Sequence, residues 1–171
     1  LLIGRIDDAE QVLLRVDPAP LSPALRAGYE LAMAGIAIRR LRVSAAREAL
    51  ARAAHAAQRT GSSALQAEVA SVALLTTQPA ARAIARNRER HLLLEDVEAL
   101  LTSDALVIDA CRNVARTATE TVSLVSRPVL LALARALAEG WPGDVSRDEL
   151  VRRAFRAKHA DETHRARLRA E

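Results

Sequence analysis

The stretch from Arg127 to Glu171 is the feature that most constrains this chain. Pro128 sits where a first helical turn favours proline, and Val129, Leu130, Leu133 and Leu137 follow at helical spacing as a stripe to be buried. Gly140-Trp141-Pro142-Gly143 ends that helix sharply, with Trp141 expected to pack over the turn. Ser146 and Glu149 have the spacing of a reciprocal N-terminal cap, opening a second helix that turns Leu150, Val151, Ala154 and Phe155 inward. After a basic polar loop, Asp161 caps a third helix presenting Leu168 to the core. Short helices gain most of their stability by packing, so these three are read as one unit.

Upstream the pattern is also helical. Ile6, Ala9, Val12, Leu13 and Val16 share a face that stops before Asp17-Pro18. Ser22-Pro23 opens a second helix running to about Arg40, with Ser22 as cap and Leu25, Leu31, Ala34, Ile38 and Leu41 turned inward. Ser44 starts a third helix, ended by Gly61, and Ser62 or Ser63 starts a fourth, ended before Gln78-Pro79. Half of the residues are hydrophobic yet only 2% are aromatic, so the apolar content is mostly Ala, Leu and Val. That balance favours helices packed closely through small residues. The third helix carries Ala46, Ala49, Leu50 and Ala53, and the second carries Ala34 and Ala37 at the matching distance upstream. Antiparallel helices of this length with small residues at their crossings resemble tetratricopeptide-type repeats, a family with a period of about 34 residues. The family's large aromatic positions are mostly absent, and only Tyr29 stands nearby.

The texture changes after Ile84. Arg86-Asn87-Arg88-Glu89-Arg90 reads as a solvated connector, followed by a strand-like piece near His91 to Leu94 and a short helix over 95–101. From Asp104 the chain is rich in β-branched residues interrupted by polar turns, which predicts short antiparallel strands near 92–94, 105–109, 112–116 and 121–125. Cys111, the single cysteine, is read as a small buried hydrophobe. The resulting expectation is a mainly α protein with a small β part: helical hairpins over 1–85, a connector over 86–103, and a second domain over 104–171.

The formal charge of +4 permits a polyanionic partner without requiring one. Positive charge is concentrated late. From Arg147 to the end there are eight Lys or Arg against five acids. Strands over 105–125, then RPVLLALARAL, then VSRDELVRRAF, then a helix containing RARLRAE, resemble the winged-helix output domains of bacterial response regulators of the OmpR and PhoB type. Val145, Ser146, Arg147, Leu150 and Phe155 carry the likeness. It implies a winged helix-turn-helix whose third helix enters the major groove of double-stranded DNA, and it assigns DNA contacts to Arg147, Arg152, His164, Arg165, Arg167 and Arg169. Arg147, Arg152 and Arg153 suit backbone positioning or a plain surface role more than base reading. For His164 an exposed helix residue is an equally good account, and for the arginines the alternative is a solvated helix face. In that family a hairpin wing follows the third helix, so the chain is expected to be part of a longer protein. Where the family commonly carries a phosphate-accepting domain, this chain has its helical segment.

Other chemistry has little support in the sequence. His55, His91, His159 and His164 form no i, i+3 or i+4 pair, no metal-hydrolase motif occurs, and no Gly-rich phosphate loop or nucleophile elbow is present. No metal, no cofactor, no catalytic residue and no enzymatic activity are therefore expected. The longest apolar runs fall short of the roughly 20 residues of a membrane span, and no export signal is visible, which points to the cytoplasm. The reading is a bacterial transcription regulator that joins a helical module for sensing, protein binding or homodimerisation to a DNA-binding domain. The alternative is a helical-repeat interaction scaffold that does not touch DNA.

Overall fold

The structure, a computed structural model, describes residues 4–155. It is mainly helical with two small antiparallel sheets, in the order α1 (Ile6–Leu14), α2 (Pro23–Arg39), α3 (Val43–Thr60), α4 (Ser63–Leu74), β1 (Ala81–Ala85), β2 (Arg88–Leu92), α5 (Leu94–Thr102), β3 (Val107–Asp109), β4 (Val114–Arg116), β5 (Thr121–Ser123), α6 (Pro128–Gly140) and α7 (Arg147–Phe155). Two compact units are built from these. The first takes the described residues up to Ala81 together with Leu92–Glu98; the second takes Arg82–His91 and the described residues from Ala99 onward. No helix among the described residues is long and apolar enough to cross a membrane.

The first unit is an alanine-lined helical stack. Ala34 and Ala37 of α2 and Ala46, Ala49 and Ala53 of α3 are buried, as their spacing predicts, and Ala27, Ala56 and Ala57 are buried with them. Val69 of α4 joins Ala27, Ala53, Ala56 and Ala57 in one cluster, with Leu31 and Leu65 packed against it. Gly61 ends α3 in the left-handed conformation (φ 68°), where a residue without Cβ is least strained. Ser62 then caps α4, its hydroxyl accepting the Leu65 N–H at 3.3 Å. Ser22 acts differently from expectation: its side chain makes no capping bond, and its carbonyl accepts the Arg26 N–H at 2.8 Å. Leu25, expected inside, is 64% exposed, and Val12 and Val16 of the first predicted stripe are exposed as well. The α2 helix closes with Leu41 left-handed (φ 55°) and its N–H and that of Arg42 donating to Ile38 and Ala37.

Two carboxylates from α5 complete this unit. Glu98 accepts the Val43 N–H at 3.0 Å, satisfying an otherwise unpartnered donor at the N-terminus of α3, and Glu95 pairs with Arg47. Deeper in, Glu30 is only 2% exposed, with Arg52 Nε 3.0 Å from its Oε1. That hydrogen bond holds the Arg52 guanidinium above its ordinary pKa.

In the second unit, the segment read as a connector is instead a hairpin. Arg86 and Asn87 both have positive φ (53° and 56°), the backbone of a two-residue turn that matches strand twist. Strand β2 therefore starts at Arg88, earlier than the predicted 92–94, and β1 occupies residues assigned to the end of the helical segment. The strands predicted from 105, 112 and 121 are present as β3, β4 and β5, each shorter. They form one antiparallel sheet, with Ile108 opposite Ala115 and Ala115 opposite Val122. Asp109 shapes the β3–β4 turn by accepting the N–H groups of Cys111 and Arg112 at 2.9 and 3.0 Å. Cys111 is exposed there, not buried, because that turn carries it out of the strand.

Candidate nucleic-acid interface

Helices α6 and α7 pack on each other, and α6 also touches β3. The inward face of α6 turns on Ala136, which is buried, whereas Leu137 is 50% exposed. A hydrophobic stripe read at ideal spacing thus ends one residue early. Val151 of α7 is fully buried, with Leu150, Ala154 and Phe155 half-buried beside it, as expected.

The connection between the helices is tightly made. The Trp141 N–H donates to the Leu137 carbonyl at 3.0 Å, the Trp141–Pro142 peptide is cis, and the Gly143 N–H returns to the Gly140 carbonyl at 2.9 Å. A Cβ on Gly140 would lie 2.7 Å from Val145 Cγ2 in the loop before α7, so any larger residue there must displace Val145. Trp141 is 71% exposed, so it does not pack over the turn as expected.

Ser146 caps α7 as predicted, its hydroxyl accepting the Glu149 N–H at 3.2 Å. The reciprocal half of the box is replaced. Glu149 pairs with Arg152 and accepts Arg153 Nε at 2.7 Å, charge-assisted bonds that outcompete a neutral backbone N–H. The Arg153 bond, with Arg152 adding to it, holds the Glu149 carboxyl below its usual range. Arg153 also reaches Glu139 of α6 at 2.6 Å, and its guanidinium is held above its ordinary pKa by Glu149 first and Glu139 second. Glu139 is a junction: its carbonyl accepts the Asn87 N–H from the β1–β2 turn at 2.9 Å.

Of the residues that the sequence assigns to DNA contact, two are described. Arg147 lies exposed at the start of α7, and Arg152 lies exposed in its last turn, paired with Glu149. His164, Arg165, Arg167 and Arg169, with the whole predicted third helix, lie outside the described residues. Sequence reasoning misses three exposed arginines, Arg86, Arg88 and Arg90, on the hairpin that docks against Glu139. The signal that could have found them is Asn87, a residue that tolerates positive φ, set between two short runs of alternating character. Among the described residues no cluster of three or more His, Cys, Asp or Glu is arranged to hold a metal ion. No family model, no curated protein and no solved structure matches this chain.

Proposed function

We propose that the chain is part of a DNA-binding transcription regulator: the second unit is of winged-helix type, and the first is a tetratricopeptide-like module for sensing or assembly. The observation that carries this reading is local order. A three-stranded antiparallel sheet is followed directly by two short helices packed on each other, and then in the sequence by a stretch with five Lys or Arg against three acids. In that arrangement the segment carrying His164, Arg165, Arg167 and Arg169 reads the major groove, while Arg147 and Arg152 position the backbone. Arg152 exchanges Glu149 for a phosphate at modest cost, because an exposed ion pair is worth little.

Binding of this kind releases counterions and weakens steeply with salt. Affinity for duplex DNA should fall by orders of magnitude between low salt and roughly 200 mM. Arg165→Glu with Arg167→Glu should abolish binding while leaving the helical circular dichroism unchanged. Salt-independent binding, or full affinity in that double variant, would sink the mechanism. A second reading, a protein-interaction scaffold, is favoured by one observation. An apolar groove of about 420 Å³ runs between α2 and α4, lined by Leu31, Ile38, Leu65, Val72 and Leu75. Retention of a protein partner with no DNA affinity would support it.

A further inference from the structure

We infer that the β1–β2 hairpin is a second contact with the DNA backbone, its Arg86, Arg88 and Arg90 neutralising phosphates; this rests on the DNA-binding reading above. The hairpin from Arg82 to His91 holds four arginines against one glutamate. Glu89 is already taken, pairing with Arg82 at 3.5 Å. Side chains alternate along a strand, so Arg88 and Arg90 share the face that Glu89 does not, about 7 Å apart. Arg86, Arg88 and Arg90 are exposed and form no ion pair among the described residues.

That pattern is unlike much of the rest of the chain. Arg40, Arg42, Arg47, Arg52, Arg152 and Arg153 each have an internal carboxylate within ion-pair distance. Like charges set close together on a small sheet repel one another, so the unneutralised cluster lowers the hairpin's own stability. A two-stranded hairpin is marginal by itself, and this one is anchored at its tip, where the Asn87 N–H meets the Glu139 carbonyl. The same Glu139 holds Arg153 of α7 through its carboxylate. The hairpin tip and the cationic last turn of α7 are thereby fixed to one residue of α6, inside one unit. Arg86 is next in sequence to that anchored tip residue, which brings the hairpin's charge to the same corner of the unit as the last turn of α7. Phosphate contacts there carry no sequence information: they add affinity and set orientation.

Arginines on a two-stranded sheet also guard its edges against pairing with other chains, and salt dependence separates the two roles. The test is a salt titration of the chain with a labelled mixed-sequence duplex, read by fluorescence anisotropy. Arg86→Gln, Arg88→Gln and Arg90→Gln together should make the slope of log affinity against log salt shallower by about 2.7, roughly 0.9 for each lost phosphate contact. The single Arg88→Gln, which perturbs the fold least, should account for about 0.9 of that. Lysine at all three positions should restore the slope. Arg15→Gln, Arg26→Gln and Arg59→Gln, the same charge change placed in the first unit, should leave it unaltered. A hairpin variant with the parent slope, or equal slope changes in both triple variants, overturns the hairpin contact while the regulator reading stands. A parent chain that binds no duplex at low salt is a separate outcome, and it overturns both.

Discussion

Gly140 and Glu30 show how much a single position can decide. Alanine at 140 sets a methyl group 2.7 Å from the Val145 Cγ2 methyl, so the β-branched side chain, restricted at χ1, must shift. The better helix propensity of alanine offsets part of that overpacking, leaving Gly140→Ala destabilised by about 1 kcal/mol. Chemical denaturation reads the loss, and adding Val145→Ala should recover most of it; a Gly140→Ala protein as stable as its parent contradicts the contact. Glu30 poses the opposite problem, a carboxylate 2% exposed with Oε2 lacking a hydrogen bond. Arg52, half exposed, is what keeps the charge tolerable. Arg52→Met should cost about 1–2 kcal/mol, and Glu30→Met in the same chain should return much of it, because removing both partners is cheaper than stranding one. A double variant less stable than Arg52→Met would refute this account.

At the scale of elements, α7 is held by its N-terminal cap, by one buried valine and by the Glu149–Arg153–Glu139 chain of charges. The Glu149 carboxyl is depressed by its arginines, so its contribution is complete above the carboxyl's unfolded pKa and is lost as pH falls through the lower folded value. Helicity of α7, followed by the exchange of its backbone amides, should drop on acidification through that window, and Glu149→Gln should flatten the profile; an unchanged profile in that variant removes Glu149 as the cause. Much at this scale is legible in the sequence. Gly61, Ser62, Pro128 and Ser146 mark helix ends by local chemistry, and Ala34, Ala46, Ala49 and Ala53 declare the α2–α3 contact by periodicity. Strand β1 is not legible, because Ala-Arg-Ala-Ile-Ala lacks the β-branched density of a strand and is paired only by virtue of its turn. Leu25, Leu137 and Trp141 fail for another reason: spacing says which way a side chain faces, but not whether anything stands there to cover it. The basic end of the chain can be read from composition, whereas the place of Arg86, Arg88 and Arg90 beside the end of α6 follows from the Asn87 N–H meeting the Glu139 carbonyl.

For the molecule as a whole, neither unit is a simple interval of the chain. Leu92–Glu98 returns to the first unit after the hairpin and brings Glu95 and Glu98 to α3. A fragment ending at residue 85 loses both carboxylates and leaves the Val43 N–H without that acceptor. It should melt several degrees below a fragment ending at residue 103, since about 1 kcal/mol shifts a domain of this size by roughly 4–8 °C. Equal melting temperatures would mean that the returning segment adds nothing.

The alanine seam between α2 and α3 has a practical corollary. Ala27, Ala34, Ala46, Ala53 and Ala57 have no accessible surface. An alanine scan, the usual survey of what holds a fold together, leaves every one of them untouched and would report the tightest contact of the first unit as silent. The informative survey runs the other way, by enlargement: valine or leucine at these fully buried sites overpacks the seam. Damage to this part of the molecule therefore comes from gain of side chain, and a map of tolerated sequences should show a strict upper limit on volume there with almost no signature of truncation.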